Sequence, residues 1–259
     1  MRRAGRYWLA PLGLWVLSPI VLLILRAFAQ SWRYPQILPG AADVLPMLST
    51  VTSGRLTSAL VTSLGLALAT GPASTVLGFL IARAIAQAGP LFRQATMAVS
   101  LFIVIAPPIA LGVGLQVAIL ELGLGGTLTG VFLAHLVPAT GYLTLFAVGV
   151  FTSFDFSLDD EARTLGASWW QVLSRVTVPL LKGRLGEAVV LGALVSWGQL
   201  AITLLIGGGV VRTLPVELLS IVQSGNDQLA ALAALVLSVP PVLAIGLLQT
   251  GIRRTGASL

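Results

Sequence analysis

Charged residues are sparse along this chain, and their positions divide it into apolar blocks. After a basic head, Met1 to Arg6, the run from Trp8 to Leu25 carries no charge. None occurs between Arg55 and Arg83, none between Arg93 and Glu121, and none over Leu128 to Phe151. Two later blocks run from Glu187 to Ile206 and from Asp227 to about Gly251. Each is close to the roughly 20 residues that a helix needs to cross a hydrocarbon layer. The pattern predicts an all-α membrane protein with six transmembrane helices.

The connections carry their own signals. Ala27-Phe28-Ala29 imitates a signal-peptide cleavage site. The apolar run before it is long for a signal peptide and no obvious soluble domain follows, so an uncleaved first helix is expected. Ser31 to Gly54 is polar and proline-rich, and serves either as a partner contact or as a simple connector. Pro107-Pro108 lies midway along the third block and predicts a kink or unwound turn, which either lines a pathway or serves packing. Gly123 to Gly126 predicts a turn, and Gly207 to Gly209 ends the fifth helix. Leu214 to Val222 is expected to form a short helix at the membrane surface, and Asp227 to cap the sixth helix.

One stretch does not fit a membrane. Between Phe154 and Leu181, the residues Asp155, Asp159, Asp160, Glu161, Arg163 and Arg175 crowd around Trp169 and Trp170, with Lys182 just beyond. It reads as two short amphipathic helices. Ser157 is placed to cap the first, with Asp160 in the capping-box position; Ser168 caps the second, with Gln171 three residues on. Acidic residues in the first turn suit the helix dipole. Gly166 stops the first helix in the left-handed conformation. Leu158, Ala162 and Leu165 share one face, and Trp169, Val172, Leu173 and Val176 share another. Pro179 argues against helix just before it and permits helix after it. The segment is therefore a compact elbow and not a floppy linker.

Composition supports the membrane assignment. The 259 residues are 56% hydrophobic and 9% charged, with mean hydropathy +0.97, whereas soluble domains carry about 25% charge. Without cysteine there is no disulfide framework and no thiolate site. The net charge of +6 does not point to nucleic acid, because the basic residues flank apolar segments. Six helices place both termini on one side. With that side as cytoplasm, Arg2, Arg3, Arg6, Arg83, Arg93, Arg163, Arg175, Lys182, Arg184, Arg253 and Arg254 lie inside, and only Arg26, Arg33, Arg55 and Arg212 lie outside. This bias obeys the positive-inside rule and puts the elbow in the cytoplasm, N-in/C-in, between helices four and five.

At the elbow the chain resembles a known family. Asp160-Glu161-Ala162, then Gly166, then Val176, Val178 and Pro179 resemble the EAA loop of ATP-binding-cassette (ABC) importer permeases of type I. The family pattern is E-A-A, three residues, G, nine residues, I-x-L-P, and the spacing here matches throughout. The departures are Asp160 for Glu, Glu161 for the first Ala, and Val176 and Val178 for Ile and Leu. More loosely, the resemblance covers 51–250 of a single permease domain, with 154–181 as the coupling loop.

The resemblance implies that Asp160, Glu161, Ala162, Leu165, Gly166, Ala167 and Trp169 meet a cytoplasmic ATPase. It also implies a second permease, identical or homologous, two ATPase subunits and an extracytoplasmic solute-binding protein. The chain is then a non-catalytic, multi-pass subunit of a bacterial or archaeal inner membrane. It carries no cofactor itself, and ATP and Mg bind the partner ATPase. The segment LIGGGVVRTLPVELLSIVQSGNDQLAALAAL is closest in texture to permeases for polyamines, ferric iron and phosphonates. Sugar permeases also carry T-L-P-V at a comparable place and remain the alternative.

Other chemistry is poorly supported. No P-loop, H-E-x-x-H or G-x-S-x-G occurs, and one histidine cannot build a polyhistidine metal site, so no metal is expected. Glu121 and Glu187 lie near helix ends, and no acidic residue sits deep within a predicted span, which counts against an ion-coupled carrier. His135 is read as hydrogen-bonded between helices, with a gate or substrate contact as its functional alternative. Tyr142, Trp197 and Gln199 are pathway candidates on the same footing as helix packing.

Overall fold

The computed structural model describes residues 4–29, 32, 35–36 and 54–256. The described part is helical. α1 spans Ala4–Phe28, α2 Arg55–Ala86, α3 Pro90–Ile105, α4 Pro108–Glu121 and α5 Leu128–Phe151. α6 (Ser157–Thr164) and α7 (Trp169–Val172) form the elbow, followed by a π-helical turn, Leu173–Thr177, that runs into α8 (Val178–Trp197). α9 (Ala201–Gly207), α10 (Leu214–Gln223) and α11 (Asp227–Gly256) complete the chain. Most of the expected polar loop at 31–54 lies outside the described residues.

α2, α5 and the Asp227–Gly246 part of α11 are each long and apolar enough to cross a membrane. Two bent pairs, α3 with α4 and Trp169–Trp197 with α9, bring the number to five if each pair is one broken span. The first expected span falls in α1, of which Leu17–Phe28 is apolar but shorter than a span. Outward-facing Leu68, Phe102, Ile105 and Ile109 are each at least two-thirds exposed. Apolar surface on that scale belongs against lipid or a partner and not against water.

The residues group into two compact units. In the first, Met1–Val61 with Thr213–Val242, Leu23 and Ala27 of α1 pack on Leu229, Ala231, Leu232 and Leu235 of α11. Arg26 pairs with Asp227, and its guanidinium also donates to the Trp32 carbonyl at 2.7 Å. Asp227 is therefore not the cap expected of it. Asn226, one residue earlier, accepts the Leu229 amide at 3.1 Å, which frees Asp227 for the ion pair. Glu217 of α10 is buried and meets Arg55 at 3.4 Å.

The second unit, Thr62–Arg212 with Leu243–Leu259, holds the elbow. α5 is its centre, with buried residues from Gly130 to Phe151. Toward its N-terminal end Val131 and Ala134 pack with Leu66, Ile119, Ile202 and Ile206; toward its C-terminal end Leu143, Ala147 and Phe151 pack with Phe79, Ala82, Leu181 and Ala188. Small residues allow the close approach. A Cβ on Gly78 would lie 2.7 Å from Leu143, and one on Gly192 would lie 2.5 Å from the Ser74 hydroxyl. In lipid such packing replaces the missing hydrophobic drive between helices.

Three other expectations can be set against the structure. The first holds: the third block is interrupted at its proline pair, with α3 and α4 meeting at 108° across Pro107. Pro107 and Pro108 have no amide proton to extend the ladder, and the prolyl ring disfavours helix at the preceding residue. The fifth block is broken at Gly198-Gln199-Leu200, with a 61° bend. Third, helix does continue up to Pro179. The π-helical turn shifts the hydrogen-bond register, so the proline stands in the first turn of α8, where its missing amide proton is no loss.

Candidate functional site

The elbow is built by local hydrogen bonds. Ser157 does not cap α6. The N-cap position is Phe156, and the Asp155 carboxylate accepts the Ser157 amide at 3.0 Å. This is the side-chain turn that aspartate forms two residues before a helix. Hydrogen bonds from the Ser157 side chain and backbone hold the fully exposed Asp155 carboxyl below its ordinary value. The other end of α6 is as expected. Gly166 has φ +87°, its amide reaches Arg163 O at 2.9 Å, and the Ala167 amide reaches Ala162 O at 3.1 Å. Together these two bonds make a Schellman motif. The Ser168–Gln171 capping box is complete: the Gln171 side chain accepts the Ser168 amide at 2.7 Å, and the Ser168 hydroxyl accepts the Gln171 amide at 3.4 Å.

Of the seven expected coupling residues, Asp160, Glu161, Leu165, Gly166 and Trp169 are exposed, and Ala162 and Ala167 are partly buried. Leu165 is 89% exposed, Trp170 66% and Trp169 50%. The two indoles lie 6.3 Å apart. The elbow thus presents a cluster of large apolar side chains among carboxylates, a composition suited to docking a protein partner. Trp170 belongs to this surface, although only Trp169 was expected to contribute. The expected face of Trp169, Val172, Leu173 and Val176 is split: Val172 is fully buried and Leu173 and Val176 partly so, while Trp169 is on the exposed surface.

Beneath this surface lies a feature that the sequence did not disclose. Asp159 is fully buried, and its carboxylate meets the buried Arg83 guanidinium of α2 at 2.6 Å. Arg83 also donates to the Thr177 hydroxyl at 2.9 Å, and that hydroxyl lies 3.2 Å from the other Asp159 oxygen. Aromatic rings continue the anchorage. Phe79 of α2, Phe151 of α5, and Phe154 and Phe156 at the elbow's entry pack with centroids 5.1–5.8 Å apart, edge to face except for the stacked Phe151–Phe156 pair.

The pathway candidates are divided. His135 is fully buried, with Nδ1 2.9 Å from the Ser196 hydroxyl and Nε2 2.9 Å from the Thr203 hydroxyl. Thr203 also donates to Gln199 O at 2.7 Å. His135 therefore bridges α5 to both sides of the α8–α9 break, as its packing reading expects. Trp197 is buried beside that break and Gln199 lies within it, whereas Tyr142 sits two turns away on α5 and is 40% exposed.

Comparison with known proteins converges on one group. Residues 74–255 match the family described as binding-protein-dependent transport system inner membrane component. A Salmonella typhimurium permease protein assigned to 2-aminoethylphosphonate transport is 26% identical over 240 residues, covering 92% of this chain and 89% of its own. The molybdenum transport system permease protein of Mycobacterium tuberculosis is 31% identical over 209 residues, covering 71% and 77%. The spermidine/putrescine transport system permease protein of Haemophilus influenzae is 22% identical over 238 residues, covering 88% of each chain. Among solved structures, a bacterial ABC transporter that imports the acidic polysaccharide alginate aligns with TM-score 0.72 at 15% identity, over 97% of this chain and 98% of that one. At that identity it speaks for the fold alone.

Proposed function

The chain belongs to the family of binding-protein-dependent transport system inner membrane components, the permeases of ABC importers, and from that premise we propose how it works. It crosses the membrane six times with both termini inside and pairs with a second permease, identical or homologous. The elbow docks through Leu165, Trp169 and Trp170, rimmed by Asp160 and Glu161, on one of two cytoplasmic ATPase subunits. Those subunits bind ATP and Mg. A solute-binding protein delivers substrate from outside. ATP closes the ATPase pair, the elbow carries the motion into the membrane helices, the pathway turns outward, and hydrolysis resets it.

The observation that carries this reading is an exposed apolar elbow whose two helices are closed by local hydrogen bonds. A segment that conveys a rigid-body displacement must not bend. Here a Schellman turn and a capping box set the angle between α6 and α7. The cargo is a small ion of the phosphonate, oxyanion or polyamine kind. The named solutes of the three relatives support this over a sugar, and family membership supports ATP coupling over ion coupling.

Affinity purification from solubilised membranes, followed by mass spectrometry, tests the docking. The wild-type chain is expected to bring an ATPase subunit with it. Glu161→Lys reverses the rim charge, and Gly166→Pro breaks the left-handed turn; both are expected to remain in the membrane, lose the ATPase and abolish transport. Retention of the ATPase by both variants contradicts the proposal.

A further inference from the structure

We propose that Arg83, Asp159 and Thr177 form a buried clamp that makes α2 move with the elbow; the clamp rests on the reading of the elbow as the ATPase-docking surface. The argument begins with connectivity. α5 leads into the elbow, and α7 continues through the π-helical turn into α8, so these two helices follow any elbow movement through the chain itself. α2 has no such link. Arg83 lies 76 residues before Asp159 and 94 before Thr177, and stands in the last turn of α2. Its guanidinium ties together three pieces that lie far apart in the sequence or in separate elements: the end of α2, the first turn of α6, and the last residue of the π-helical turn.

The chemistry chosen for the link suits transmission better than stability. Burying an ion pair removes two hydration shells, and well-packed apolar residues would often stabilise as well. Hydrogen bonds to an ionised pair are directional and short. Apolar surfaces slide past one another, whereas a fork of donors on a carboxylate and a hydroxyl fixes both separation and angle. The Thr177 hydroxyl is within hydrogen-bond distance of both charges. The clamp is also placed where local compliance matters, because π-helical turns often mark functional positions where helix register can shift. Thr177 closes that turn and is buried. Arg83, Asp159 and Thr177 are therefore positioning residues; none lies on the docking surface.

The chain has no cysteine, so a single reporter can be introduced into it, in a complex whose ATPase subunits have had any cysteines replaced. Leu68→Cys reports on α2 and Leu204→Cys on α9, beyond α8; both positions are exposed. Each is labelled with bimane in the intact permease–ATPase complex, and the emission shift on trapping with ATP and vanadate is read. In the parent both reporters shift. With Thr177→Val, a near-isosteric loss of one hydroxyl, and with Asp159→Asn, the ATPase still co-purifies and the α9 shift persists. The α2 shift is largely lost. Thr177→Ser, which keeps the hydroxyl, restores it. A merely structural role would not separate the two reporters.

An α2 shift unchanged in both variants overturns the clamp, as does loss of both shifts or loss of the ATPase, since the residues would then hold the elbow itself. Thr177→Val decides if Asp159→Asn fails to fold. Failure of the parent to retain an ATPase, or to shift either reporter, instead overturns the reading of the elbow on which the clamp rests.

Discussion

At the residue scale, neighbouring acidic side chains have unlike roles. Asp155 is fully exposed and begins α6 through Ser157. Asp159 is buried against Arg83, while Asp160 and Glu161 face outward. For Asp155 the folded carboxyl is depressed below 3.8, so its contribution is present above that value and lost as pH falls through the folded one. The Ser157 amide should therefore exchange slowly at neutral pH and lose protection only in acid. Asp155→Ala should remove the protection at neutral pH. Hydrogen exchange read by mass spectrometry checks both, and equal exchange in parent and variant at neutral pH would contradict the assignment. His135 shows a different economy, with both ring nitrogens engaged by hydroxyls across helices.

At the element scale, close helix contact depends on a few small residues. A Cβ on Gly78 meets the Leu143 backbone at 2.7 Å, whereas Gly65, on the same helix, has nothing within 4 Å of that position. Gly78→Ala should destabilise by about 1–3 kcal/mol, the usual cost of overpacking. Gly65→Ala should be neutral or slightly stabilising, since Ala is the better helix former. Thermal unfolding in detergent separates the two, and equal melting would contradict the packing argument.

Much of this level was legible in the sequence. Uncharged blocks bounded by glycine or charge located α5 at its observed limits and α2 nearly so, and the apolar run from Leu214 to Val222 located α10 to within one residue. Ser168-x-x-Gln171 and Gly166 carry their own chemistry within a few residues, so the elbow's turns were readable. The break at Gly198–Leu200 was not, because an uncharged run looks the same whether or not its helix bends. The π-helical turn was missed because proline was weighed against an α-helical ladder only. Asp159 was indistinguishable from Asp160 and Glu161 because its distinction lies in helix phase and in a partner 76 residues away.

At the scale of the whole molecule, the charge pattern is what the proposed six-span topology requires. On that topology eleven of the fifteen basic residues fall on the cytoplasmic side, together with the elbow. Large apolar side chains exposed on α2, α3 and α4 suit lipid or a second permease, while those at the elbow's tip suit a water-borne partner. Permeases named for 2-aminoethylphosphonate, molybdenum and spermidine/putrescine transport share much of the chain's length with it.

The most direct test of this account is photo-crosslinking in intact cells from a benzophenone side chain placed at Leu165, which is 89% exposed at the tip of the elbow. The account predicts one dominant adduct, with a cytoplasmic ATPase subunit, and none with that subunit from the same probe at Leu68 on the spanning α2. Absence of an ATPase adduct from Leu165, or adducts of equal yield from both positions, would contradict it.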